Sequence, residues 1–211
     1  MNTPQQKMYQ KSAEHIIKQL KKRNMEGFYF DSSTACVDYI AAHMKENATF
    51  TTGGSMTLRD IGLTDRLKKE HPFIDRKVAQ TPEELREIYS QIVLADYFLM
   101  STNAITLNGE LVNIDGLGNR VACLIYGPKE VFIVAGMNKV AADLETAYSR
   151  IRNFAAPTNA IRLNCKTPCA TTGLCGHCHS EDCVCSQIVV TRHSRPEGRI
   201  KVFLIGESLG Y

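Results

Sequence analysis

The stretch Ser101 to Val140, STNAITLNGELVNIDGLGNRVACLIYGPKEVFIVAGMNKV, carries three backbone devices in succession. Asn108-Gly109 stands between Ala104-Ile105-Thr106 and Leu111-Val112-Asn113 and predicts a two-residue hairpin, because both central residues tolerate positive φ. Asp115-Gly116-Leu117-Gly118-Asn119-Arg120 then precedes an apolar run that could be a helix, and such a junction leaves backbone N–H groups free to face an anion. Val131-Phe132-Ile133-Val134-Ala135 reads as a fully buried strand, from which Gly136-Met137-Asn138-Lys139 turns into a predicted helix over 139–154. A strand that stops at a glycine before a helix is where open α/β sheets place their ligands. One such turn alone is usually a plain connection, but several within one short stretch favour a site.

Outward from this stretch, strand and helix signals alternate. An amphipathic helix is predicted over 5–23, with Ala13, Ile16, Ile17 and Leu20 as its apolar side. Phe28-Tyr29-Phe30 follows as a strand, and Asp31 or Ser32 caps a helix over 33–46. Ala48 to Thr52 is the next strand, and Gly53-Gly54-Ser55-Met56-Thr57 leads into a helical segment near Leu58. This is a second candidate anion site, with glycines for close approach and the hydroxyls of Ser55 and Thr57 at the helix start. Thr81-Pro82-Glu83-Glu84 marks a helix start with a cap, a first-turn proline and a capping box. That helix leads to the strand Tyr97-Phe98-Leu99-Met100. Pro157 is expected to end the helix that begins at 139. The alternation predicts a mostly parallel sheet covered on both faces.

Two strands close the chain, Gln187–Arg192 and Arg199–Ile205, and Pro196-Glu197-Gly198 between them suggests a hairpin. The expected division is therefore an α/β domain over 1–160 and a cysteine-rich loop with a terminal hairpin over 161–211 that completes the same domain.

The composition excludes several classes. With 211 residues, 44% hydrophobic and 22% charged, the chain can bury one substantial core and is neither disordered nor fibrous. No run approaches the roughly eighteen apolar residues of a spanning helix, and MNTPQQKMYQ has no apolar signal core, which predicts a cytoplasmic protein without a membrane partner. A net charge of +3 with no basic stripe argues against nucleic acid. An oligomer is compatible with the sequence.

Eight cysteines need another explanation. Cys36 and Cys123 lie in apolar surroundings as small core residues. The others form Cys165-x3-Cys169-x5-Cys175-x2-Cys178-x4-Cys183-x-Cys185, with His177 and His179 interleaved. The two-residue gap of Cys175 and Cys178 lets both thiolates of one turn bind a single ion, and Cys169 and Cys185 can close a four-thiolate set. Zinc and an iron–sulfur cluster suit four thiolates equally well. A redox dithiol and a loop of reduced cysteines remain as alternatives.

Several blocks together carry a resemblance: Thr52-Gly-Gly-Ser-Met-Thr-Leu, Asn103-Ala-Ile-Thr, Gly109-Glu-Leu-Val-Asn-Ile-Asp-Gly-Leu-Gly-Asn-Arg-Val, Ile125-Tyr-Gly-Pro-Lys, Val134-Ala-Gly-Met-Asn-Lys, and the ending Arg199-Ile-Lys-Val with Gly206-Glu-Ser-Leu-Gly-Tyr. From about residue 5 to 211 the chain resembles the LUD-domain family, named for lactate utilisation proteins. It is similar to the short stand-alone branch whose tail carries a four-cysteine pattern, matched here by Cys169, Cys175, Cys178 and Cys185. The resemblance implies a three-layer α/β fold related to the superfold of ribose phosphate isomerase and the coenzyme A transferases, whose enzymes bind phosphorylated or acyl-carboxylate ligands at strand ends. Better-studied relatives belong to an iron–sulfur system that oxidises L-lactate to pyruvate. This chain lacks their paired ferredoxin motifs and any flavin or nicotinamide fingerprint.

The expectation is an accessory or electron-transfer component of lactate-type carboxylate metabolism, with a small anionic or carboxylate ligand and a redox partner protein. Gly53, Gly54, Ser55, Thr57, Asp115, Gly116, Gly118 and Asn119 are the candidate cradle, Arg120 and Lys139 the charge partners, and Glu110 the candidate acid–base carboxylate. Two other classes stay open. One is an isomerase or transferase for a sugar phosphate or acyl-CoA with a structural zinc, and the other is a non-catalytic sensor or scaffold.

Overall fold

A computed structural model describes residues 3–211. Its middle layer is a five-stranded, all-parallel sheet built from β1 (Glu26–Phe30), β2 (Phe50–Thr52), β3 (Tyr97–Met100), β6 (Glu130–Gly136) and β9 (Ile200–Ile205), in the order β1-β9-β6-β3-β2. Period-two alternation sends successive side chains to opposite faces. On β3, β6 and β9, residues Phe98, Met100, Val131, Ile133, Val202 and Leu204 enter one core, and Tyr97, Leu99, Phe132, Val134, Phe203 and Ile205 enter the other. The first core is covered by α1 (Pro4–Lys21), α5 (Pro82–Val93) and α6 (Asn119–Ile125), and the second by α2 (Ser33–His43), α3 (Met56–Asp60) and α4 (Leu63–Leu67). The helix starts follow local chemistry: Thr3 and Gln6 close a capping box on α1, Ser32 accepts from the Ala35 N–H of α2, and Thr81 accepts from the Glu84 N–H of α5.

A second sheet of four short strands lies beside the first: β4 (Ala104–Thr106), β5 (Leu111–Asp115), β7 (Val140–Ala141) and β8 (Gln187–Thr191), ordered β7-β4-β5-β8. The hairpin between β4 and β5 forms as expected, but its turn differs. Gly109 takes φ +83° while Asn108 stays out of the left-handed region, and the Gly109 N–H bonds the Thr106 carbonyl at 2.8 Å. This is a three-residue loop ending in a left-handed glycine, so only one residue there needs positive φ.

The C-terminal hairpin is not present. β8 runs antiparallel to β5 in the small sheet, whereas β9 inserts between β1 and β6 in the large one, parallel to both. The burial of the two strands explains the separation. β8 alternates between half-buried and exposed residues, as an edge strand does, while β9 is buried at five of its six positions, as a central parallel strand must be.

The helix expected over 139–154 is also rearranged. Met137–Lys139 is a single 3-10 turn, β7 pairs with β4, and only then does α7 (Leu144–Arg150) begin, capped by Asp143. Pro157 does not end it. A π turn over Ile151–Ala155 carries the chain directly into α8 (Ala156–Arg162), with the Ala156 N–H bonded to the Ile151 carbonyl. The wider π turn places the proline where a new helical segment starts, and a proline there lacks only a donor that a first turn leaves free. Ala147, Ile151, Ala155, Ala156 and Ala160 are buried along this run, while Leu144 and Tyr148 are exposed. A short helix, α9 (Pro168–Thr172), opens the cysteine-rich segment. No helix among the described residues is long and apolar enough to cross a membrane.

Phe203 is the keystone of the second core, 5.1 Å from the rings of both Phe28 and Phe132. Phe203→Ala is expected to cost about 3–5 kcal/mol of stability. Urea denaturation should show a lower midpoint at unchanged slope.

Candidate functional site

The carboxyl ends of β2, β3 and β6 open onto a cleft of about 790 Å³, closed on its far side by the end of β5 and by residues of the cysteine-rich segment. Of the residues predicted for a ligand cradle, Gly54, Ser55, Thr57, Asp115, Gly116, Asn119, Arg120 and Lys139 all line it. Gly53 and Gly118 stand behind this lining. A Cβ on Gly53 would meet the Arg120 Cδ at 3.0 Å, and the Gly118 N–H bonds the Asp115 carboxylate at 2.9 Å. Gly116 is closely approached: a Cβ there would lie 3.1 Å from the Cys183 carbonyl oxygen, where the cysteine loop crosses the turn.

The two helix starts at the cleft are short. α3 spans 5 residues and α6 spans 7, so neither builds a sizeable dipole. Their polar groups are also engaged locally. Ser55 caps α3 by accepting from the Leu58 N–H, and Asn119 donates to the Tyr89 hydroxyl at 2.9 Å.

Arg120 does different work from that expected of a charge partner. Its Nη1 donates to the Ser101 carbonyl at 3.3 Å and to Asn113 Oδ1 at 2.8 Å, and its Nη2 donates to Asn103 Oδ1 at 3.1 Å and to the Ile114 carbonyl. Its Nε faces Asp115 Oδ2 at 3.5 Å. Every N–H of the guanidinium is thus committed within the protein, and burial lowers its pKa while Asp115 acts in the opposite direction.

Lys139 is the contrasting case. Only 3% of it is exposed, and Nζ meets the Thr57 and Ser101 hydroxyls at 2.9 and 3.0 Å, with no ion pair to any carboxylate among the described residues. Burial, and then the positive charges of Arg150 and Arg120, push its pKa down from 10.5 to about 7. Arg150 is held as Arg120 is, donating to the Asn103 carbonyl at 2.7 Å and the Asn138 carbonyl at 3.1 Å. Arg76 also lines the cleft and forms no hydrogen bond or ion pair among the described residues.

Glu110 lies elsewhere. The β4–β5 hairpin carries it to the end of α1, where Arg23 Nη2 donates to its carboxylate at 2.7 Å and the Thr106 hydroxyl holds the other oxygen. It is not part of the cleft lining.

The four matched cysteines, Cys169, Cys175, Cys178 and Cys185, border one smaller pocket of about 270 Å³, together with Cys183, His177 and His179. Arg152 donates to the Cys175 sulfur at 3.5 Å and contacts the His177 ring, and the Cys183 and Cys185 sulfurs are 3.3 Å apart. Among the described residues no group of three or more His, Cys, Asp or Glu side chains converges closely enough to hold an ion. The four thiols are of the type that thiophilic metals take and share one pocket, but their sulfurs are spread around its wall rather than gathered on one point. Burial and the neighbouring Cys183 raise the Cys185 pKa, and hydrogen bonds from Ser180 lower that of Cys178.

The LUD-domain family model matches residues 13–205. The chain belongs to the LUD-domain family. Among solved structures, a DUF162 family protein from Deinococcus radiodurans aligns over 94% of this chain and 98% of its own, with a TM-score of 0.54 at 8% identity, a likeness of fold. Ribose 5-phosphate isomerase from Plasmodium falciparum covers 52% of each chain at 16% identity and TM-score 0.33. eIF2B delta from Chaetomium thermophilum covers 56% of this chain and 50% of its own at 19% identity and TM-score 0.36. No curated protein matches the sequence.

Within this LUD domain, sequence reasoning passed over Arg76, Ser101 and Asn103. Asn103 carries the clearest missed role, because its Oδ1 accepts from both the Ile114 N–H and Arg120 at 3.1 Å. An asparagine following a buried strand was the available signal.

Arg120→Lys tests the structural assignment. A lysine offers three donors on one atom and cannot span acceptors on two sheets, so stability is expected to fall by about 2–4 kcal/mol. Chemical denaturation reads this loss directly.

Proposed function

We propose that this LUD domain binds a small carboxylate in the cleft and holds a metal centre through Cys169, Cys175, Cys178 and Cys185, acting as an accessory or electron-transfer component of lactate-type carboxylate metabolism. The observation that carries the reading is Lys139, a buried amine in a ligand-sized cleft with hydroxyl partners and no carboxylate of its own. A buried cation without a counter-ion is costly to the folded state, and an anion from solution removes that cost. Arg76 supplies a second cationic group on the same cleft, while Arg120 and Arg150 fix the loops that carry Ser101, Asn103 and Asn138. A perturbed titratable group in a cleft at strand ends is the usual mark of a binding site.

The cysteine pocket supports the second half of the reading. Cys183 and Val184 border both the cleft and the cysteine pocket, so the loop that would hold the metal is also a wall of the ligand site. An iron–sulfur centre there would supply single-electron transfer to a partner protein, whereas zinc would supply only a fixed loop. The chain's own contribution is to keep the thiols within one pocket and to set Arg152 beside the Cys175 sulfur.

Thermal unfolding with pyruvate, L-lactate, a sugar phosphate and an acyl-CoA distinguishes the classes. A ligand at ten times its Kd adds about 1.4 kcal/mol, which raises Tm by about 3–6 °C in a chain of this size. Pyruvate or L-lactate is expected to give this rise, and Lys139→Met is expected to weaken binding by at least about tenfold while remaining folded, since it removes a buried charge. A rise with only the sugar phosphate or acyl-CoA would contradict the carboxylate reading.

For the metal, anaerobically purified protein is expected to contain iron or zinc that is depleted in Cys175→Ser. Equal metal content in the variant would reject the four-thiolate assignment.

A further inference from the structure

We propose that Lys139 is an amine nucleophile that forms an imine with the carbonyl of a 2-oxo carboxylate bound in the cleft. This rests on the reading of the cleft as a carboxylate site and goes further by assigning a covalent step and a substrate class.

The geometry around Nζ carries the inference. Its two partners are the Thr57 hydroxyl at 2.9 Å and the Ser101 hydroxyl at 3.0 Å, and each has its own outlet for a proton. Thr57 Oγ1 donates to the Leu209 carbonyl at 3.3 Å and Ser101 Oγ to the Thr102 carbonyl at 3.4 Å, so both oxygens accept from the amine. Two acceptors match the two N–H groups of a neutral amine and leave its lone pair unused, whereas an ammonium would carry a third N–H. A lysine kept as a counter-ion normally faces a carboxylate; this one faces hydroxyls and lies near two arginines, Arg120 with both Nη groups held by protein acceptors and Arg150 with Nε and Nη1 held by the Asn138 and Asn103 carbonyls.

Burial and those arginines bring its pKa to about 7, so at neutral pH about half of the amine is free, against about one part in three thousand for an ordinary lysine. Desolvation beside fixed positive charge is a recognised way to activate a lysine for carbonyl chemistry.

The step balances without an oxidant or reductant. The Lys139 lone pair forms a C–N bond to the ketone carbon, and the carbonyl π electrons move to oxygen, which takes up a proton. The nitrogen gives up one proton to form the neutral carbinolamine, whose oxygen takes up a second proton from solvent water by way of the Thr57 or Ser101 hydroxyl; the nitrogen lone pair then forms the C=N bond as the C–O bond breaks and the oxygen leaves as water. The product is a protonated imine, so the buried positive charge persists next to the substrate carboxylate. Arg76, on the same cleft, is the cation available to that carboxylate. The Thr57 and Ser101 hydroxyls are placed to relay protons during addition and dehydration.

The test is reduction with sodium cyanoborohydride in the presence of pyruvate, followed by intact mass measurement and peptide mapping. L-Lactate has the same carboxylate but no carbonyl, so it serves as a control and as a competitor. One reduced adduct per chain is expected, located on Lys139, with a yield at least about tenfold above that of any other lysine. It should be absent with L-lactate alone, suppressed when L-lactate competes, and missing in Lys139→Arg. The wild-type map decides alone if that variant does not fold: pyruvate adducts spread over surface lysines with Lys139 unmodified would overturn the proposal. If calorimetry shows pyruvate binding that Lys139→Met loses, and yet no adduct forms on wild type, the imine is refuted while the carboxylate site stands. If pyruvate does not bind, both fail together.

Discussion

The Arg120 guanidinium is the joint between the two sheets. It takes acceptors from Ser101 at the end of β3, from Asn103 in the link to β4, from Asn113 and Ile114 in β5, and from Asp115 beyond them. Two sheets that meet at strand ends expose carbonyls and amide side chains that no regular ladder satisfies, and a buried planar group with five donors can satisfy several of them at once. The cost is a buried cation that only Asp115 directly offsets. Because Arg120 is spent on the scaffold, the cleft beside it needs another cation to attract an anion.

Lys139 fills that role as a consequence of the same joint. β6 ends at Gly136, one 3-10 turn follows, and the side chain of Lys139 is returned beneath the loops that Arg120 and Arg150 hold. The two arginines impose positive charge on it, and the hydroxyls of Thr57 and Ser101 give it partners that do not neutralise it. Structural tie and reactive group are therefore coupled: after burial and Arg150, the guanidinium that holds the sheets together also lowers the proton affinity of the amine. The cysteine loop adds a further link, since it passes over Gly116 and borders both the cleft and the thiol pocket.

Much of this was legible in the residues. Buried strands at Tyr97–Met100 and Val131–Ala135, caps at Ser32 and Thr81, and glycine turns at the strand ends follow from local patterns that tertiary context had no reason to override. What escaped was non-local. Pro196-Glu197-Gly198 suggests a hairpin, yet the continuous apolar character of β9 is satisfied only at the centre of a parallel sheet, which proximity in sequence cannot reveal. Pro157 passes inside a helical run because a π turn precedes it, and no propensity encodes that turn. Glu110 looked available beside a glycine turn, but the hairpin points it at Arg23. Arg120 and Lys139 both read as free charges in sequence, and only the count of acceptors around each separates the committed cation from the available one.

The most direct measurement is NMR titration of protein labelled at the lysine ε-carbons, with Lys139→Met identifying the signal. Lys139 is expected to titrate near 7, well below its ordinary 10.5. A base with a depressed folded-state pKa weakens the fold when protonated, so the penalty should be complete below about 7 and be relieved as pH rises toward 10.5. L-Lactate at saturation should move the titration upward by stabilising the ammonium. A Lys139 signal that titrates above 10, unmoved by the anion, would contradict the account of a buried, unpaired amine as the centre of the site.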